Sequence, residues 1–172
     1  MSESLKSFIR EIPDFPKRGV VFRDITPALL EPKIFKGICD GLFKRYAGRR
    51  IDKIAAVESR GFIFASVLAY QMGRGFVPMR KPGKLPWKTI NEKYSLEYGE
   101  AAIEMHIDAI QKGERVLILD DLLATGGTAA AAARLIERQG AVVEELAFLI
   151  ELVGLRGRDL LKGRKIYSML RF

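Results

Sequence analysis

The sequence predicts an α/β fold, a central and mainly parallel sheet flanked by helices, and three observations carry that expectation. Short apolar runs of strand length alternate with stretches of helix length along the chain. Residues 116–139 read as strand, acidic pair, glycine loop and helix in direct succession. A further strand ending at Val57 is followed by the polar turn Glu58-Ser59-Arg60-Gly61 and another helix, so the same unit occurs twice. In such βαβα arrangements ligands sit in the crevice beyond the strand carboxyl ends.

Taken in order, residues 20–23 read as a short strand, and residues 33–46 as a helix introduced by Glu31-Pro32 and ended near Gly48. Residues 54–57 (IAAV) are apolar throughout, as a strand buried on both faces must be. Residues 61–72 have the length of a helix, and 76–79 resume extended structure. After them comes a polar stretch, 80–99, in which Pro82 and Pro86 disfavour regular structure and Arg80, Lys81, Lys84 and Lys88 cluster in nine residues. That composition predicts a mobile lid loop. Residues 116–119 (VLIL) form the next buried strand, with Asp120 and Asp121 placed where it should emerge from the core. Residues 129–139 are alanine-rich and stop at Gly140, which predicts a helix. Residues 146–150 end the alternation. The sequence holds no repeat or low-complexity tract, and its 172 residues suit a single domain spanning 1–172.

The loop between the acidic pair and the alanine-rich helix has a definite chemistry. Gly126 and Gly127 lack side chains, so backbone N–H groups can close around an anion while the helix amino end adds a favourable dipole. Thr125 and Thr128 add hydroxyl donors. Two carboxylates beside an anion site would repel it unless they faced hydroxyl donors, and a phosphorylated sugar satisfies both demands. The loop is not that of a nucleoside-triphosphate binder, because it lacks the Lys-Ser/Thr ending of that motif.

Four segments in this order carry a resemblance: PDFPKRGVVFRDIT at 13–26, ESRGF at 58–62, RKPGKLP at 80–86 with YSLEYG at 94–99, and DDLLATGGT at 120–128. Together they resemble the type I phosphoribosyltransferase family, in its adenine-using branch, from about Phe15 to Glu151. The sequence departs from the family at Lys17-Arg18 before Gly19, where a second proline or a small residue is frequent, and in its short C-terminal tail. The resemblance implies the type I phosphoribosyltransferase fold with a small N-terminal hood over the base (1–32) and the lid loop (80–99). It also implies a reaction in which phosphoribosyl pyrophosphate and adenine give AMP and pyrophosphate.

Residue by residue, the resemblance places the 5-phosphate on Ala124, Thr125, Gly126, Gly127 and Thr128, and the ribose hydroxyls on Asp120 and Asp121. It assigns pyrophosphate to the loop Glu58, Ser59, Arg60 and Gly61, which in this family often contains a cis peptide. Arg60 offers a planar fork of donors suited to phosphate oxygens, and Lys81 and Lys84 contribute further positive charge. Val21 and Arg23 lie at the base pocket, whose entrance Phe22 helps shape. Glu97 is the candidate for proton exchange with the base, and Tyr98 for closing over the sugar. Mg²⁺ is expected to bind mainly through substrate oxygens and water, with no protein metal cage. The family resemblance also implies a homodimer.

Composition limits other readings. Apolar residues make up 48% and charged residues 29%, ordinary for a globular protein, and no apolar run approaches the roughly 20 residues that span a bilayer. The start MSESLKSF lacks signal-peptide features, and the lone Cys39 fits a reducing compartment, so a cytoplasmic location is expected with no membrane partner. Cys39 reads as a buried structural thiol and His106, without a companion motif, as a structural histidine. The net charge of +8 arises from dispersed cations, with small clusters at Lys44-Arg45, Arg49-Arg50 and Arg156-Gly157-Arg158, and is expected to form mostly a solvated face. Nucleic acid is therefore an unlikely partner. Two alternatives remain open at this point: another purine base in place of adenine, and a nucleic-acid-binding regulator on the same fold.

Overall fold

The structure, a computed structural model, describes residues 5–95 and 100–172, and it divides into two units, 1–45 and 46–172. The first unit is built on an antiparallel ribbon of β1 (Arg10–Pro13) and β2 (Val21–Asp24), with Ile12 opposite Phe22. Its turn is held by Asp14, whose carboxylate accepts the Gly19 N–H at 2.7 Å, and Gly19 has the positive φ (85°) that favours glycine. The Phe15–Pro16 peptide is cis, and the Phe15 and Phe22 rings meet edge to face at 5.2 Å. Asp24 then starts α1 (Thr26–Leu30) by accepting from the Thr26 N–H at 2.9 Å and its hydroxyl at 2.6 Å. Helix α2 (Pro32–Tyr46) begins with a proline whose missing N–H is harmless in a first turn. It buries Cys39, and burial pushes that thiol up to about 11.

The second unit is organised by a five-stranded sheet. Strands β3 (Lys53–Val57), β4 (Gly75–Met79), β7 (Arg115–Leu123), β8 (Val142–Glu151) and β9 (Ile166–Arg171) stand in the order β4-β3-β7-β8-β9, every neighbouring pair parallel. Helices α3 (Arg60–Met72) and α4 (Gly127–Arg138) supply crossovers. The mainly parallel sheet expected from the alternation is therefore present. Residues 116–119 and 145–150 are buried without a break, as strands covered on both faces must be. Among the described residues no helix is long and apolar enough to cross a membrane.

Three elements differ from the sequence reading. The alternation does not end at residue 150: β9 adds an edge strand after two short 3-10 turns, Val153–Leu155 and Gly157–Leu161. Its apolar residues are interrupted by Tyr167 and Ser168, which leaves little run to recognise. Strand β1 is only four residues long and holds one apolar side chain besides its proline. The stretch expected to be an irregular lid contains β5 (Thr89–Ser95), which pairs antiparallel with β6 (Glu100–His106) from Thr89↔His106 to Ser95↔Glu100. Among the described residues of this stretch, 81–88 follow the irregular expectation, and Arg80 makes an isolated bridge with Glu104.

Helix α4 shows why its sequence is rich in alanine. Ala129 to Ala133 are all at most 7% exposed, and the helix packs against β5, β6, β7, β8 and the second 3-10 turn. A helix covered on every side can approach its neighbours closely only with small side chains, so propensity explains the helix while packing explains the alanines.

Beside β8, acidic side chains are matched to arginines. Glu144 accepts from Arg49 Nη2 at 2.9 Å and from Arg115, with Lys165 at 3.5 Å, and Glu145 accepts from the Tyr46 hydroxyl at 2.7 Å and Arg49 at 3.0 Å. Burial pushes the Glu144 carboxyl up, but the hydrogen bonds from Arg49 and Arg115 outweigh it and hold it below the usual carboxylate range. A depressed folded value contributes stability present above the unfolded value, near 4.5, and lost as pH falls through the folded one. Glu144→Gln should therefore destabilise the chain by about 1–3 kcal/mol at neutral pH. Urea titrations across pH should show this difference shrinking below pH 4.5; a constant difference would mean lost packing rather than lost charge.

Candidate active site

Parallel pairing of β3 with β7 brings their carboxyl ends side by side, at the point where the strand order reverses. The turn after β3 and the loop after β7 line one cavity of about 430 Å³. Glu58, Ser59 and Arg60 reach it from the first, and Asp120, Asp121 and residues 124–128 from the second. The Glu58–Ser59 peptide is cis, as the resemblance implied.

The carboxylate pair does not lie beyond its strand. Strand β7 continues to Leu123 because β8 goes on supplying ladder partners, with Asp120 opposite Phe148 and Leu123 opposite Glu151. Asp121 is buried, and its carboxylate accepts from Arg60 Nε at 2.5 Å. This ion pair ties the turn after β3 to the end of β7. Asp120 accepts the Asp121 N–H at 2.9 Å. Gly61 explains how the first helix comes so near: a Cβ there would stand 2.7 Å from Asp120 Oδ1 and 3.1 Å from the Leu119 carbonyl oxygen. Thus Gly61 serves the site by close packing and does not itself line the cavity. Burial, reinforced by the neighbouring Asp121 charge, pushes the Asp120 carboxyl well above the usual range.

The loop after β7 turns sharply. Gly126 caps α4 with φ +89°, and a Cβ there would lie 2.3 Å from the Gly157 carbonyl oxygen, so both conformation and space demand glycine. Gly127 opens the helix, which leaves the backbone N–H groups of its first turn without intrahelical partners at the cavity. Thr125 and Thr128 also line it. The arrangement can receive a phosphate on backbone and hydroxyl donors while carboxylates take hydroxyl groups a short distance away.

Lys81, Tyr94 and Ile103 also line the cavity. The stretch that carries Lys81 is held by two carboxylates. Glu58 accepts from Arg80 Nε at 2.8 Å and the Lys81 N–H at 2.9 Å, with the Lys84 ammonium 3.9 Å away. Burial pushes Glu58 up, but these bonds prevail and lower it. Buried Glu104 accepts the N–H groups of Gly83 (3.1 Å) and Leu85 (3.3 Å) and the Thr89 hydroxyl (3.2 Å). His106 Nε2 lies 2.5 Å from the Pro86 carbonyl oxygen, a structural use of that ring. Farther along, Glu92 on β5 bonds Arg134 (2.6 Å) and Arg138 (3.0 Å) of α4. Sequence reading missed Glu104 and Glu92: Glu92 falls in the stretch expected to be an irregular loop, and Glu104 belongs to no motif. Lys84 does not line the cavity and meets the site through Glu58. Val21 and Arg23 stand on β2 of the first unit, where Arg23 is paired with Glu11. Glu97 and Tyr98 lie outside the described residues.

A parallel sheet with a carboxylate pair, a glycine-threonine loop and an arginine turn at its switch point has the donors and acceptors to receive a phosphorylated sugar. The model of the phosphoribosyl transferase domain matches residues 28–167, and the chain belongs to that family. Within it, the chain is 55% identical to the adenine phosphoribosyltransferase of Anaeromyxobacter dehalogenans, over 100% of both chains. The crystal structure of adenine phosphoribosyltransferase from Thermoanaerobacter pseudethanolicus superposes with a TM-score of 0.97 at 52% identity, covering 100% of each chain. That of the Saccharomyces cerevisiae enzyme, complexed with an imino-altritol bisphosphate and adenine, gives 0.92 at 39% identity over 98% of each.

The raised Asp120 value has a testable sign. A carboxyl raised on folding contributes stability fully present below its unfolded value, near 3.8, and lost as pH rises through the folded one. Asp120→Asn keeps the acceptor for the Asp121 N–H and abolishes the charge. Without ligand it should melt ~2–4 °C above the unsubstituted chain at pH 7–8, the size of about 1 kcal/mol. Scanning calorimetry should show the gap closing toward pH 4. A gap independent of pH would place its cause elsewhere.

Proposed function

We propose that this chain transfers the 5-phosphoribosyl group of phosphoribosyl pyrophosphate to adenine, giving AMP and pyrophosphate in purine salvage. The observation that carries the reading is the single cavity joining the Ala124, Thr125, Gly126, Gly127 and Thr128 loop, the Asp120-Asp121 pair and the Glu58–Arg60 turn. Full-length similarity to adenine phosphoribosyltransferases supports the choice of base.

In this reading the 5-phosphate sits on the loop N–H groups and the Thr125 and Thr128 hydroxyls, and the ribose hydroxyls donate to Asp120 and Asp121. Pyrophosphate lies against Ser59, Arg60 and Lys81. As it leaves, the anomeric carbon gains oxocarbenium character, so fixed positive charge near the departing group lowers the barrier. The Glu58 contacts hold Lys81 in place for that task. Mg²⁺ belongs to the proposal: it would be held through substrate oxygens and water, with Asp120 and Asp121 acting on it through the ribose hydroxyls, and would neutralise charge on the departing pyrophosphate. Among the described residues no cluster of three or more His, Cys, Asp or Glu could hold a metal, and an acidic pair with hydroxyl-bearing substrate suits a hard, partly hydrated ion.

Val21 and Arg23 are assigned to adenine. They stand on β2, and main-chain groups of such a strand can match the exocyclic amine and ring nitrogen of a planar base. Glu97 acts as general base on the imidazole ring of adenine and Tyr98 closes over the sugar, with 80–99 as the lid. A homodimer and a cytoplasmic location complete the reading. Exposed apolar side chains such as Tyr70 supply surface for self-association, which sedimentation at micromolar concentration tests, and the lone Cys39 suits a reducing compartment.

A panel of adenine, hypoxanthine, guanine and xanthine, read by pyrophosphate release, tests the whole reading. Release should occur with adenine and fall at least ~100-fold for the other bases, whose exocyclic groups leave buried partners unmatched. Equal release with hypoxanthine would overturn the base assignment, and none with any base would overturn the enzyme. Glu97→Gln should slow single-turnover AMP formation by about 10²–10⁴-fold with little change in substrate affinity. An unchanged chemical rate would remove Glu97 from proton transfer.

A further inference from the structure

The phosphate loop rests on a piece of backbone that the four motifs do not include. A Cβ added to Gly157 would stand 2.2 Å from the Ala124 carbonyl oxygen, 2.9 Å from Leu123 Cδ1 and 3.1 Å from the Gly126 nitrogen. The reciprocal Cβ on Gly126 would stand 2.3 Å from the Gly157 carbonyl oxygen. The two segments therefore meet backbone on backbone, and neither side has room for a methyl group. Such a contact fixes position more sharply than side-chain packing, because no rotamer can absorb an error.

The supporting segment is itself tied down. Gly157 opens the 3-10 turn Gly157–Leu161, whose Leu161 is fully buried in the same core as the α4 alanines. Next to the contact, Arg158 makes a two-pronged pair with Glu151 at the end of β8, Nε to Oε1 at 2.7 Å and Nη2 to Oε2 at 2.8 Å. Arg171 on β9 approaches the same carboxylate at 3.4 Å, and the Leu152 N–H bonds the Leu123 carbonyl oxygen at 2.9 Å. The Arg158 bonds, outweighing burial, hold the Glu151 carboxyl below its usual range, so the pair is charged at neutral pH.

We propose that Gly157, held by the Arg158–Glu151 pair, is a positioning residue for the sugar 5-phosphate: its backbone sets the curvature of residues 124–126 and so the aim of their N–H groups. The inference rests on the reading that this loop binds the 5-phosphate. It separates the two anion subsites, because the Glu58–Arg60 turn that would take pyrophosphate has no contact of this kind with Gly157. Displacing Ala124 and Gly126 by the ångström that a methyl group requires should misalign donors to one anion and spare the other.

The test compares AMP and magnesium pyrophosphate binding by calorimetry for the unsubstituted chain, Gly157→Ala, Arg158→Leu and Arg158→Lys. Gly157→Ala should weaken AMP by about 10–100-fold, leave pyrophosphate within ~3-fold, and raise KM for phosphoribosyl pyrophosphate more than it lowers kcat. Arg158→Leu should act in the same direction more mildly, with Arg158→Lys restoring part of the loss since charge remains but the fork does not. Equal weakening of both ligands would mean a general structural defect and overturn the inference, as would unchanged AMP affinity. Should Gly157→Ala fail to fold, Arg158→Leu decides by the same two criteria. An unsubstituted chain that bound neither ligand would overturn the proposed activity and this inference with it; one that binds both, with variants unchanged, overturns the inference alone.

Discussion

Parallel pairing of β3 with β7 is the constraint on which the site depends. Once the two strands run side by side, whatever follows them must share one edge of the sheet, and two short loops far apart in sequence become walls of one cavity. The Arg60–Asp121 ion pair then fixes their separation, and Gly61 lets α3 approach Asp120 closely. Add a side chain at Gly61 and α3 must back away from Asp120; remove the Asp121 carboxylate and Arg60 loses the ion pair that ties its turn to β7. Neither change acts on one loop alone.

Electrostatics follow the same economy. Glu92, Glu144 and Glu151 are held low by arginine, and Glu58 by the Lys81 N–H together with Arg80, while in each case burial works against the charge. The positive residues thus do more than form a solvated face: Arg49 and Arg158, in two of the small basic clusters, are internal partners whose own values are raised. Asp120 goes the other way, pushed up by burial and by Asp121. Among the described residues Asp120 thus differs from these matched acids, and in the proposed function the ribose hydroxyls donate to it.

How much of this was legible follows from how local each signal is. The β7 strand, the acid pair, the glycine-threonine loop and the helix after it are consecutive, and residues 115–138 form them much as read. The turn at 58–61 was legible for the same reason. Strands β1 and β9 were not, being short or broken by polar residues, and β5 was hidden by the expectation that a cation-rich, proline-marked stretch stays irregular, which left β6 without a recognisable partner. Glu104 and Gly157 could not be found from spacing at all, because their roles exist only once the chain brings 104 to 83–89 and 157 to 124–126. The basic cluster at 156–158 did carry a signal, a glycine between two arginines, but a solvated turn explains that pattern equally well.

The alanine-rich helix joins these observations. Because residues 129–133 of α4 are buried on every side, the glycine-threonine loop at its amino end cannot shift without moving the helix, and the helix is gripped by β5 through Glu92 and by the core through Leu161. Loops are ordinarily the most mobile parts of a fold. Here the loop is closed in front by the start of a fully packed helix and behind by Gly157, so its donors are set before any ligand arrives. Preorganisation of this kind spares the ordering entropy that a flexible anion site would lose on binding. The same logic explains why the loop has glycine at 126 and the helix alanine at 129–133: the fold needs surfaces with little or no side chain wherever backbone must closely approach its neighbours.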